Sequence, residues 1–235
     1  MTSQRNKIVI LPLGDFDASQ QIILNHVVEY LALFFGLTVE VEDTFPLASL
    51  TLRVARRTHP EWGGHQLQST HMINRFLRKR IPPHAATYLC LTTYDLWPGE
   101  DWNFVFGQAS LVYRVGVWSM YRFGDPSRRR DFRRCLKRVL ATAAHETAHQ
   151  FGLHHCTAYS CGMCGSNSLE ETDSRPLHFC PECTPKIAWA TGVDLKERAT
   201  KLQAFMERTG LVEEKVYYQQ SAKLMQTARS NDTNQ

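Results

Sequence analysis

The sequence predicts a mixed α/β (α+β) fold: a mixed twisted sheet in an N-terminal lobe with two main helices, the second of which closes the lobe, and a small helical C-terminal lobe stapled by cysteines. Three observations carry the prediction. Short runs rich in β-branched and aromatic residues alternate with helical periodicity over residues 7–123. One uninterrupted helical stripe spans residues 128–151, and a cysteine-rich segment at 156–183 precedes two further helical stretches. The lobes divide as residues 1–152 and 153–235.

Residues 7–13 (Lys-Ile-Val-Ile-Leu-Pro-Leu) are an apolar run of strand length, read as a buried first strand. Residues 19–35 place Ile22, Ile23, Val27, Leu31 and Phe34 at helical spacing, and Gly36 suits the left-handed residue that ends a helix. Residues 37–41 alternate apolar and polar, so strand, helix and strand predict a parallel crossover. Residues 44–68, with scattered Pro and Gly and Trp62, read as a connection. A second helix is expected over 69–80, ended by Pro82-Pro83, then strands over 86–96, 103–109 and 111–123. The helix at 128–151 carries Phe132, Leu136, Leu140, Ala143 and Thr147 along one stripe. Residues 194–208 and 212–225 read as helices, and the polar tail at 227–235 as frayed.

His145, Glu146, His149, Gly152 and His155 spell H-E-x-x-H-x-x-G-x-x-H. Residues four apart on a helix stack on one face about 6 Å apart. His145 and His149 can therefore offer two imidazole nitrogens to one ion, with Glu146 beside them. Gly152 lets the chain turn sharply out of the helix, so that His155 returns as a third ligand. Three protein ligands leave a tetrahedral zinc one position for water, the arrangement of a hydrolytic site. Glu146 then stands where a general base takes a proton from water and passes it to a leaving amine. The bland reading makes Glu146 a solvated helix residue. His154 competes with His155 as ligand, or faces solvent.

Cys156, Cys161, Cys180 and Cys183 read C-x4-C…C-x2-C, a spacing suited to a closed tetrahedral zinc site; the other readings are two disulfides or free thiols. Because His155 and Cys156 are adjacent, a structural zinc would fix the backbone that carries the third histidine. Two zinc ions per chain are therefore expected, one catalytic and one structural. Of the remaining cysteines, Cys90 and Cys135 read as packing residues, and Cys164 either competes as a ligand or stays outside the site.

Composition bounds the rest. The chain of 235 residues is 43% hydrophobic and 21% charged, ordinary for a globular protein, and its net charge of +4 does not by itself argue for nucleic acid. No nucleic-acid partner is expected. The basic run from Arg128 to Arg138 either faces solvent or meets an acidic partner. No stretch approaches the roughly 18 apolar residues of a bilayer span, so no membrane partner is expected either. The N-terminus lacks the apolar core of a signal peptide, and the seven cysteines then suit a reducing cytoplasm.

The residues His145-Glu146-x-x-His149-x-x-Gly152-x-x-His155-Cys156, then Cys161-Gly162-Met163, then Cys180-Pro181-Glu182-Cys183 together resemble the archaemetzincins, a branch of the metzincin zinc peptidases. The segment Asn103-Phe104-Val105-Phe106-Gly107 is also similar to that family. The resemblance implies a metzincin-like fold, catalytic zinc on His145, His149 and His155, Glu146 as general base, and structural zinc on the four cysteines. It implies that Met163 is the methionine of a tight turn beneath the histidines, and that a peptide or protein is the substrate. It also implies that residues 103–109 form an edge strand along the substrate cleft, where the residues alone allow ordinary sheet. Cys164, directly after Met163, departs from the family pattern. Tyr159 either supplies a phenol to the reacting oxyanion or packs. The reading from another class is a non-proteolytic zinc-binding interaction module.

Overall fold

The structure, a computed structural model, describes residues 4–50 and 55–232, with residues 226–232 described through their backbone alone. Strand β1 (Lys7–Leu13) is buried on both faces, as its unbroken apolar run requires of a central parallel strand. Helix α1 (Ala18–Phe35) starts one residue earlier than the spacing suggests, because Asp17 caps it: the carboxylate accepts from the Ser19 and Gln20 amides, and the Gln20 side chain answers onto the Asp17 amide. Gly36 ends the helix at φ +66°. Strand β2 (Thr38–Val41) returns parallel to β1, completing the crossover.

The connection read at 44–68 contains two short strands, β3 (Arg56–Thr58) and β4 (His65–Gln68), paired antiparallel. Residues 51–54 of that stretch lie outside the described residues. The expected helix at 69–80 is irregular: one turn of α-helix, α2 (Ser69–His71), runs into a wide π turn (Met72–Phe76) and a 3-10 turn (Leu77–Lys79). The wide turn bonds the Leu77 amide to the Met72 carbonyl and so brings two apolar residues five apart onto the same buried side.

The strand read over 86–96 divides. Strand β5 (Ala85–Thr92) lies in the main sheet, Thr92 Oγ1 then accepts from the Tyr94 amide, and β6 (Asp95–Trp97) joins β3 and β4 in a second, three-stranded sheet. Only β7 (Gly107–Ala109) of the stretch 103–109 is regular strand; residues 103–106 cross between the sheets, bridged through Val105 to Leu96. The stretch 111–123 shortens to β8 (Val115–Ser119), because Ser110 Oγ accepts from the Val112 and Tyr113 amides and turns residues 110–114 into a hairpin tip. The five-stranded sheet runs β2-β1-β5-β8-β7, parallel except for β7, which is its antiparallel edge.

Helix α3 (Arg129–Gln150) packs beside α1 on one face of that sheet. Ile8 and Ile10 join Leu136, Leu140 and Ala144 there, whereas Val9 and Leu11 face the cluster of Met72, Leu77, Tyr88 and Cys90 on the other side. Two short helices were not foreseen, α4 (Leu169–Ser174), capped by Ser168, and α5 (Cys183–Thr191), ended by Gly192. Helices α6 (Leu195–Thr209) and α7 (Val212–Asp232) match the expected pair, but α7 continues through the tail read as frayed; residues 233–235 lie outside the described residues. Tyr30 of α1 packs against Phe205 with its ring tilted and Phe34 meets Phe179 edge-on, so the C-terminal helices share the main core. Among the described residues no helix is long and apolar enough to cross a membrane.

Candidate active site

Helix α3 delivers His145, Glu146 and His149 to its C-terminal turn, the two histidines one turn apart. Phe151 caps the helix, and Gly152, at φ +87°, reverses the chain in a conformation that a side chain would strain. His155 comes back beside the other two: the three ring centroids lie 4.6, 5.0 and 5.2 Å apart, and one nitrogen from each falls within 4.8 Å of the others.

The backbone fixes which nitrogens face inward. His145 Nδ1 stands 2.9 Å from the Gly162 carbonyl and His149 Nδ1 2.6 Å from the Leu153 carbonyl. A carbonyl oxygen only accepts, so each Nδ1 carries the proton and each Nε2 keeps its lone pair. Those two Nε2 atoms then point at one another 3.0 Å apart. Arg175 Nη1 also lies 3.2 Å from His145 Nδ1, but its acceptor is the Cys164 carbonyl at 2.7 Å, and the closer Gly162 contact sets the tautomer. Burial holds His145, His149 and His155 below the ordinary histidine range, with the Arg175 charge adding to the effect at His145. Two facing lone pairs on neutral rings repel unless a cation lies between them. The donor set therefore fits a nitrogen-binding divalent metal such as zinc.

Glu146 is 5% exposed. Burial pushes its carboxyl up to about 8, and Arg175 pulls it back only in part. Gly107 of β7 lies directly against it: a Cβ on Gly107 would come within 2.6 Å of Glu146 Oε1. Above this floor opens a cavity of about 900 Å³, walled on one side by residues 101–109 and on the other by His154, His155, residues 165–167 and Arg175. β7 is a sheet edge, so among the described residues one side of its backbone has no strand partner.

Cys156, Cys161, Cys180 and Cys183 also meet, their sulfurs within 4.8 Å of one another. They are not disulfide-bonded: Cys156 and Cys180 Sγ are 3.9 Å apart, almost twice a covalent S–S length. Amides of Met163 and Cys180 approach the Cys161 sulfur at 3.4 and 3.3 Å, and that of Cys183 the Cys180 sulfur at 3.4 Å, which suits thiolate charge. The four-sulfur set fits a closed tetrahedral zinc. Cys164 stays outside it, its thiol donating to the Tyr159 carbonyl.

Met163 is fully buried, and its neighbour Gly162 supplies the carbonyl that orients His145. His154 is exposed and lines the cavity, whereas the Tyr159 side chain does not. The basic run is mostly paired within the chain: Arg138 grips Asp173 with two bonds, Lys137 reaches Glu213 and Glu214, and Arg134 meets Asp131. Sequence reasoning placed residues 103–109 along the cleft but missed the contact of Gly107 with Glu146, and it missed Arg175. Gly107 against Glu146 is a tertiary contact that no local pattern announces, and Arg175 is a lone arginine in an irregular segment.

The chain matches the model of peptidase family M54 over residues 74–189. It is 32% identical to human archaemetzincin-2 over 205 residues, which cover 75% of this chain and 56% of the relative. It thus spans little more than half the length of that curated protein. Archaemetzincin from Pyrococcus furiosus is 27% identical, with 78% of this chain and 93% of the relative aligned. The crystal structure of archaemetzincin from Methanopyrus kandleri superposes with a TM-score of 0.62 at 28% identity, covering 81% of this chain and 98% of that one. The family match spans both ligand clusters, and over residues 74–189 the chain is similar to the archaemetzincins, peptidase family M54.

Proposed function

We propose that the chain is a zinc-dependent peptidase that cleaves peptide bonds with Glu146 as its general base. The observation that carries this is the convergence of His145 and His149 Nε2, joined by His155 and flanked by Glu146, on the floor of a cavity large enough for a peptide segment. His145, His149 and His155 would hold the catalytic ion, and Cys156, Cys161, Cys180 and Cys183 a second, structural one. Zinc held by the histidines would polarise the scissile carbonyl and lower the pKa of the attacking water toward about 7.

The chain's own residues do the rest. Glu146 accepts a proton as the water oxygen bonds to the carbonyl carbon. It returns that proton to the amine nitrogen as the C–N bond breaks. The edge strand β7 offers backbone groups to an extended peptide laid along it, which orients the scissile bond without reading side chains. The Gly162 and Leu153 carbonyls keep the two helix histidines in the tautomer that binds metal. The site thus joins the lobe of residues 1–152 to that of residues 153–235.

Metal analysis combined with Glu146→Ala tests the reading. Both forms should hold about two zinc ions, while the variant loses cleavage of a mixed peptide set by about 10³-fold or more. Equal cleavage by the two forms sinks the mechanism. Two zinc ions with no cleavage by either would favour a non-proteolytic zinc-binding module.

A further inference from the structure

Arg175 follows helix α4 and is 7% exposed. Its Nη1 is occupied, donating to the Cys164 carbonyl beside His145. Its other edge is bare. Nε is buried with no hydrogen-bond partner, Nη2 makes no hydrogen bond among the described residues, and none of the ion pairs there includes Arg175. Two other arginines of this chain display what that edge does. Arg122 presents Nε and Nη2 to Asp95 at 2.8 and 2.7 Å. Arg138 presents the same two nitrogens to Asp173 at 2.6 and 2.5 Å.

A guanidinium taken out of water with no hydrogen-bonded anion is costly even with the Glu146 charge nearby, and the Nε/Nη2 fork matches the two oxygens of a carboxylate. Arg175 lines the same cavity as Glu146 and the three histidines. We propose that Arg175 is a specificity-determining residue that receives a carboxylate of the bound peptide, borne on an acidic side chain or at the C-terminus. The proposal rests on the peptidase reading only in taking the cavity's ligand to be a peptide. Cleavage is then selective for substrates that place a carboxylate at a fixed distance from the scissile bond.

Fluorescence anisotropy on the zinc-loaded Glu146→Gln variant tests this with two sets of labelled peptides. One set compares Glu with Gln at each position in turn; the other compares a C-terminal carboxylate with its amide. In one set the carboxylate form should bind about 10- to 100-fold tighter, and that set identifies the source. Adding Arg175→Gln, which keeps a donor for the Cys164 carbonyl, should abolish the preference. Arg175→Lys, which keeps the charge without the fork, should retain part of it. A preference that survives Arg175→Gln overturns the proposal, as does equal or absent binding of both forms in both sets. Should circular dichroism reveal that Arg175→Gln is unfolded, Arg175→Lys decides: an unchanged preference there is equally fatal. Turnover by the unmutated protein is read separately. If it cleaves none of the peptides while the binding preference holds, the peptidase reading falls and the assignment of Arg175 stands.

Discussion

Two clusters of ligand-type side chains adjoin in the chain, His155 closing one and Cys156 opening the other, yet their surroundings are opposite. The histidines line a cavity of about 900 Å³, and His155 is exposed. Cys161, Cys180 and Cys183 are buried among Phe179, Leu177 and Ile187 in the main core, with Cys156 half-buried at its border. Convergence of donors is common to both clusters. Access is what separates them: an ion on the histidines would meet whatever enters the cavity, whereas an ion on the sulfurs would lie largely in the core, with only the Cys156 and Cys183 side bordering a pocket. On the proposed reading the first arrangement would serve chemistry, and the second would hold residues 153–183 in place so that the first can form.

The sharpest way to break that comparison is to remove one ligand from each cluster. His149→Ala and Cys183→Ser should each lower zinc from about two per chain to about one, measured by elemental analysis. Their other consequences should diverge. Cys183→Ser forfeits a site whose zinc contributes on the order of 10 kcal/mol in small zinc domains, comparable to the whole stability of a typical fold. Its C-terminal helices should unfold below the parent melting temperature, and cleavage should disappear with them. His149→Ala should also lose cleavage, by about 10³-fold or more, while thermal unfolding shifts by only a few degrees. Identical unfolding behaviour in the two variants would erase the division of labour between the clusters.

A finer effect is expected at Gly107. A methyl there would overlap the Glu146 carboxylate, at 2.6 Å from Oε1 and 2.8 Å from Cδ. The overlap reaches up to Cγ at 2.8 Å, so the whole Glu146 side chain must turn, and it can do so into the cavity it lines with the backbone left in place. A base displaced by about 1 Å can lose about 100-fold in rate. Gly107→Ala should therefore cut kcat by about 10- to 100-fold while leaving both zinc ions and the melting temperature in place. An unchanged kcat would mean that Glu146 has no need of its present position.

These contrasts mark where sequence reading succeeds. The histidine triad was legible because helical geometry converts i, i+4 spacing directly into proximity, and Gly152 announces the reversal that returns His155. The sulfurs were legible because two tight loops bring paired cysteines together whatever the fold around them. Ser168 and Glu171 do spell a helix start before α4, but six residues offer too little periodicity to notice. β3 was hidden because Arg56-Arg57-Thr58 carries no apolar alternation. The β-branched and aromatic content of residues 111–113 pointed the wrong way, since Ser110 captures their amides and makes a turn. The partners Gly107 and Glu146 lie 39 residues apart in sequence number and meet only once the sheet and α3 have docked.

The smallest effect concerns Tyr159, which the sequence left between a reacting phenol and a packing role. In the structure its ring is 46% exposed and does not line the cavity, and its carbonyl accepts the Cys164 thiol. The position is held by backbone, which Tyr159→Phe leaves untouched. Exposed substitutions away from a site usually change stability by less than about 0.5 kcal/mol, so kcat/KM on any cleaved peptide should stay within about twofold of the parent. A fall of about tenfold or more in kcat with KM unchanged would carry a different message. It would mean that residues 157–165 swing toward the cavity when substrate binds and that the phenol reaches the oxyanion there. In that case the flank joining the two clusters would be a moving part, and the cysteine site would anchor a hinge and not a fixed wall.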